Sequence, residues 1–144
     1  MALIAMASDE PGLDVFAVCD EMAARGWYVQ AQLGYRGIPA SIHLTVTASA
    51  DAVVDAMLAD LATSVDAARA LGSGADPEML AAVAALDPDD LPDDVLGTLL
   101  PLAGLEPGAG LPERMAGINA LMEAMPARYI FLLIFWVKFS SGLF

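Results

Sequence analysis

Few side chains in this sequence can do chemistry, and their number limits what reactions are open to it. His43 is the only histidine, Cys19 the only cysteine and Lys138 the only lysine among 144 residues. A Ser-His-Asp or Cys-His arrangement would have to be built on that single imidazole, and one chain cannot assemble a multi-histidine metal site from it. His43 offers one donor or acceptor on the polar side of an alternating segment, either to a bound group or to a neighbouring strand or loop. Tyr35 and Arg36 are the best exposed polar pair. A guanidinium there meets an anion through two parallel hydrogen bonds, and the plain alternative is a solvated loop tip. Cys19 falls on a helical apolar stripe with no basic neighbour in sequence to favour its thiolate, so it reads as core. The aspartates at 87, 89, 90, 93 and 94 lack the glycine turn and closing glutamate of a calcium loop, and two prolines among them suit an extended acidic linker. No catalytic and no metal-binding residue is assigned.

The elements that must position these groups follow from periodicity. Ala2–Ala7 is a short apolar run, suited to a strand with both faces covered, and it ends in a loop at Ser8–Gly12. Asp14 can cap a helix whose apolar positions Val15, Val18, Cys19 and Met22 keep the 3.6-residue period, with Gly26 as its stop. Trp27–Leu33 and Ser41–Thr47 alternate as half-buried strands do. In the second of these, Ile42, Leu44 and Val46 share one face, and Ser41, His43, Thr45 and Thr47 the other. Ser49 is a natural N-cap for a long helix from Ala50 to Leu71, closed by Gly72. The first half therefore reads β-α-β-β-α, an α+β layer with helices on one face of a small sheet. Residues 73–112 read as an acidic linker rich in proline and glycine. Within them Asp93 and Asp94 can cap a short apolar piece, Val95–Leu102. Residues 113–144 read as a helical extension, with a helix over Glu113–Ala124 and methionines 115, 122 and 125 as packing.

Composition narrows the partners. The net charge is -13, from 19 acidic and 6 basic side chains, so no basic stripe exists to neutralise a phosphate backbone and nucleic acid is not an expected partner. Adsorption to an anionic membrane is disfavoured for the same reason. The apolar run Tyr129–Val137 is about half of the ~20 residues a spanning helix needs, so a buried terminal element is expected there. A lone cysteine fits a reducing, cytoplasmic setting. Hydrophobic residues make up 58% of the chain. Alanine-rich helices account for much of that, and extra surface buried against a partner is the other explanation.

Gly26-Trp-Tyr-Val-Gln30 followed by Gly37-Ile-Pro-Ala-Ser-Ile-His-Leu-Thr-Val-Thr47 resembles the small domain of sphingosine-1-phosphate lyases. In that family a GW strand, a short loop, a proline and an S-I-H strand occur in this order. Met22-Ala-Ala-Arg-Gly26 looks like the family's helix ending, and Ala2–Ser8 like the strand that opens the domain. Arg114–Pro126 and Ser140–Phe144 look like its C-terminal extension. The wider superfamily is the group II pyridoxal-phosphate decarboxylases.

The resemblance implies a small domain of a fold-type I enzyme over residues 1–72, in a protein that cleaves a carbon–carbon bond beside an amine-bearing carbon. It implies a homodimer, or a missing large domain as partner, and a substrate-side position for His43, Tyr35 and Arg36. The coenzyme of the intact family, pyridoxal 5'-phosphate, requires a lysine and phosphate donors. Lys138 lies in an apolar tail without the histidine or aspartate that precedes the family's cofactor lysine. No cofactor-binding residue is assigned, and no cofactor is expected on this chain alone. The competing expectations are a non-catalytic interaction module and a small membrane-associated protein using the apolar tail.

Overall fold

The computed structural model describes residues 1–47, 51–87 and 112–126. It divides into two compact units, Met1–Gly74 and Ala75–Phe144. The described elements, in chain order, are β1 (Ala2–Met6), α1 (Val15–Ala24), β2 (Gln30–Gln32), β3 (Ser41–Val46), α2 (Val54–Leu71), α3 (Pro77–Ala84) and α4 (Ala116–Ala124). The first unit is thus the β-α-β-β-α layout read from periodicity, and the fold is α+β.

The three strands form one sheet in the order β1-β3-β2, and both pairings are antiparallel. β1 and β2 therefore run in the same direction with β3 between them, which makes β1-α1-β2 a split crossover. Ile42 sits opposite Met6 on one side and Ala31 on the other, while His43 sits opposite Ala5 and Gln30. Because side chains alternate across a strand, Met6, Ala31 and Ile42 share one face. Leu3, Ala5, Gln30 and His43 share the other. The helices cover the first of these: α1 packs on β2, β3 and α2.

Local chemistry explains the helix ends. The Asp14 carboxylate accepts from the Phe16 amide at 2.8 Å, capping α1. At the other end the Trp27 amide donates to the Met22 carbonyl at 3.0 Å and the Gly26 amide to the Ala23 carbonyl at 2.9 Å. This is the paired closure that needs a left-handed residue, and Gly26 supplies it at φ 86. Trp27 then leaves the helix with its indole Nε1–H donating to the Asp60 carboxylate on α2 at 2.7 Å. That bond ties the exit of α1 to a helix 33 residues further along.

Three features differ from the expectations. β1 lies at a sheet edge, with Leu3 67% and Ile4 45% exposed, so its faces are not covered. β2 is only three residues long, because Trp27–Val29 serve the turn out of α1 rather than the ladder. Residues 73–112 do not open as linker: Asp76 Oδ1 accepts from the Glu78 amide at 2.9 Å and caps α3, whose first residue is Pro77. In the second unit α3 and α4 pack on each other, with Val83, Ala116, Ile118, Leu121 and Met125 buried. The expected Ser49 cap, the Val95–Leu102 piece and the Tyr129–Val137 run lie outside the described residues; α2 itself begins at Val54 with no side-chain cap.

Ser64 and Ala68 are the buried residues of α2, small side chains one turn apart on a helix that packs on α1. The Ser64 hydroxyl is buried with no hydrogen-bond partner among the described residues, and an unmet buried hydroxyl costs about 1–3 kcal/mol. Ser64→Ala removes that cost at nearly constant shape. It is expected to raise stability by about 1 kcal/mol in urea unfolding, and a loss of that size would show that the hydroxyl is bonded.

Candidate functional site

The loop between β2 and β3 is a tight hairpin. Tyr35 and Ile38 exchange two backbone hydrogen bonds of 3.0 Å each, and their pairing continues the register set by Gln32 opposite Ser41. Arg36 and Gly37 alone make the turn, with φ of 50 and 84. Two consecutive positive φ angles define the hairpin turn whose twist matches the flanking strands, and Asn-Gly is its preferred sequence. Arginine at the first position is therefore strained. Its guanidinium carbon sits 5.0 Å from the centroid of the Tyr35 ring. Tyr35, Arg36, Gly37 and Ile38 are all exposed, so the arm extends beyond the part of the sheet that the helices cover.

His43 is half-buried on the helix-free face of the sheet, between Ala5 and Gln30. Its ring makes no hydrogen bond among the described residues. Five residues of strand separate it from Ile38, about 16 Å at ~3.3 Å each. The three substrate-side candidates therefore do not converge: Tyr35 and Arg36 stack at the arm's tip, and His43 lies on the sheet.

A crevice of about 260 Å3 opens on the opposite face, walled by Met6, Leu13, Val15, Val18, Ile42, Leu61 and Val65, with Ser8 and Asp9 at its rim. His43 alternates with Ile42 along β3 and so points away from it. The loop over the crevice is held by Glu10, whose carboxylate accepts from Arg69 Nε at 2.9 Å and from its second terminal nitrogen at 2.7 Å. These bonds hold the Glu10 carboxyl below its ordinary value and push Arg69 up. Arg69 also donates to Asp66 at 2.6 Å. Arg25 donates to the Glu21 carbonyl and carboxylate at the end of α1.

These pairings bear on the coenzyme that the resemblance implies. Among the described residues there is no lysine. Arg25 and Arg69 are committed to carboxylates, and the N-termini of α1 and α3, where a phosphate would be drawn, already hold Asp14 and Asp76. The described residues thus offer no amine to hold the coenzyme's aldehyde. They also contain no group of three His, Cys, Asp or Glu side chains able to hold a metal.

The second unit carries the one family match. Residues 77–129 match the family described as "pyridoxal-dependent enzyme, C-terminal putative HTH domain". The match starts at the first residue of α3 and takes in all of α4. It supports the small C-terminal part of a pyridoxal-dependent enzyme, and it lies mostly in the segment read as acidic linker. No curated protein and no solved structure matches the chain. No helix among the described residues is long and apolar enough to cross a membrane.

Sequence reasoning found the arm's residues but not its geometry; the Arg-Gly pair between alternating runs was the available signal. It placed Cys19 correctly as buried. Burial first, then the carboxylates of Asp20 and Asp14, push its thiol up to about 12. A thiol held protonated when folded contributes stability below its unfolded value near 8.5 and loses it as pH rises toward about 12. Alkaline unfolding is expected to steepen across that window, and a thiol reagent at neutral pH to label Cys19 only after denaturation. For the arm, left-handed strain of about 1–2 kcal/mol outweighs an exposed cation–π contact of about 0.5–1 kcal/mol. Arg36→Asn is thus expected to raise the melting temperature by a few degrees; a fall would mean that the stacking dominates.

Proposed function

We propose that the chain is the small C-terminal part of a pyridoxal-phosphate-dependent carbon–carbon lyase or decarboxylase of the sphingosine-1-phosphate lyase kind. The observation that carries this is the match of residues 77–129 to the C-terminal family of pyridoxal-dependent enzymes. The β-α-β-β-α unit before it, with the GW and S-I-H strands, supports the finer assignment. In this reading a large domain supplies the cofactor lysine and the phosphate cradle, and the present chain supplies a wall and packing surface. Arg36, at an exposed and strained tip, is the group best placed to reach an anion on a neighbouring domain. Tyr35 braces it, and His43 serves the sheet face. A cytoplasmic setting goes with the lone, buried Cys19.

The family's description refers to a helix-turn-helix, a shape that many proteins use without nucleic acid. Residues 77–129 carry nine acidic side chains against Arg114 and Arg128 alone. A duplex backbone is bound through counterion release by cations, so this segment is read as a packing element.

Pure chain mixed with pyridoxal phosphate is expected to form no stable aldimine band at the visible edge. Borohydride reduction should leave no adduct on Lys138. Coenzyme-dependent turnover of an amine substrate by this chain alone would overturn the proposal.

A further inference from the structure

We infer that residues 7–13, between β1 and α1, form a strap whose Glu10–Arg69 latch opens and closes the apolar crevice. The strap supplies Ser8, Asp9 and Leu13 to the lining of that crevice, and α2 supplies Leu61 and Val65. Leu61, Val65 and Arg69 follow one another at intervals of four, so they stand in one row on α2. The latch therefore sits one turn beyond the crevice, on the same row that lines it.

Both ends of the strap are fixed and its middle is not. Before it, Met6 pairs with Ile42 in the sheet. After it, one oxygen of the Asp14 carboxylate caps α1 and the other accepts from the Gly74 amide at 3.2 Å. Between these anchors the Ser8 hydroxyl accepts from the Glu10 amide at 3.0 Å, and the Leu13 amide donates to the Glu10 carbonyl at 3.3 Å. Those bonds are internal to the strap and move with it. Among the described residues, the Glu10–Arg69 pair is the one polar tie from residues 7–13 to another element. Asp9, Glu10, Pro11 and Gly12 are exposed, so little burial reinforces that tie, and such a segment opens locally at low cost. Arg69 also has a second place to go. Asp66 already shares its guanidinium, so the cation keeps a partner when Glu10 lets go. Arg69 holds the Glu10 carboxyl below its ordinary value, which keeps the latch charged at neutral pH. Salt, which screens exposed pairs, is then what loosens it. This inference is independent of the enzymatic assignment.

The rate of thiol labelling of Val65→Cys in the full chain reads access to the crevice, because Val65 is half-buried in its wall. Buried Cys19 in the same chain reads unfolding of the unit. Adding Glu10→Gln should speed labelling at position 65 about threefold or more, with Cys19 unlabelled and far-ultraviolet circular dichroism unchanged. Raising salt from about 0.05 M to about 0.5 M should speed labelling where Glu10 is intact and leave the rate unchanged with Glu10→Gln. Leu61→Cys gives the same readout from the turn before, should Val65→Cys fail to fold. Equal rates with and without Glu10→Gln, an equal response of both chains to salt, or labelling of Cys19 in step with position 65 would each overturn the inference.

Discussion

β1 and β2 pair with β3 and with no other described strand, so the order of the first unit depends on the register of one six-residue strand. Ile42 is its fixed point. It is paired on both sides and 5% exposed, and it walls the crevice between sheet and helices. A slip of one residue would put His43 under the helices and Ile42 on the open face. The cost of burying that imidazole and exposing the isoleucine locks the register. The placement of His43 on the helix-free face is therefore a consequence of core packing, and any role it has is set by what lies against that face.

The same register reaches the tip of the arm. Because Gln32–Ser41 and Tyr35–Ile38 belong to one pairing, only two residues remain to reverse the chain, and a two-residue reversal requires positive φ at both. Gly37 meets this without cost. Arg36 meets it against its own preference, and the cost falls at the most exposed point of the unit. Strain held in an exposed charged residue, while both ends of α1 are closed by ordinary capping, makes Arg36 unlike its surroundings.

The order of elements in residues 1–72 was legible because each boundary has a local chemical cause. Asp14 caps, Gly26 closes, and alternation marks β3. What was not legible depended on contacts distant in sequence. Nothing in Ala2–Met6 says that it ends up at an edge, since a covered strand and an edge strand can both be apolar. The Trp27–Asp60 bond spans 33 residues and starts from within a segment that alternates well. In the second unit the signal was present and outvoted: Asp76-Pro77-Glu78 is a helix start, but the aspartates and prolines after it suggested a linker throughout. The resemblance to pyridoxal-phosphate lyases was drawn chiefly from residues 2–71, whereas the family match lies at 77–129. Different parts of the chain thus point to one class of enzyme.

The chain's high hydrophobic content has a structural counterpart in where its apolar surface stays uncovered. A unit of this size buries only about 60% of its unfolded surface. The remainder here is unevenly placed, with Leu3 and Ile4 on β1, Tyr35 and Ile38 on the arm, and Val54 and Leu58 on the first turns of α2. A monomer selected for solitude would put charge at such positions, and this chain has charge to spare: its acidic residues outnumber the basic ones three to one. Within the first unit the acids serve caps and latches instead, as Asp14, Asp60 and Glu10 do. Carboxylates used at helix ends and loop anchors, with apolar groups left at an edge, a tip and a helix start, describe a domain whose folding is complete before its burial is.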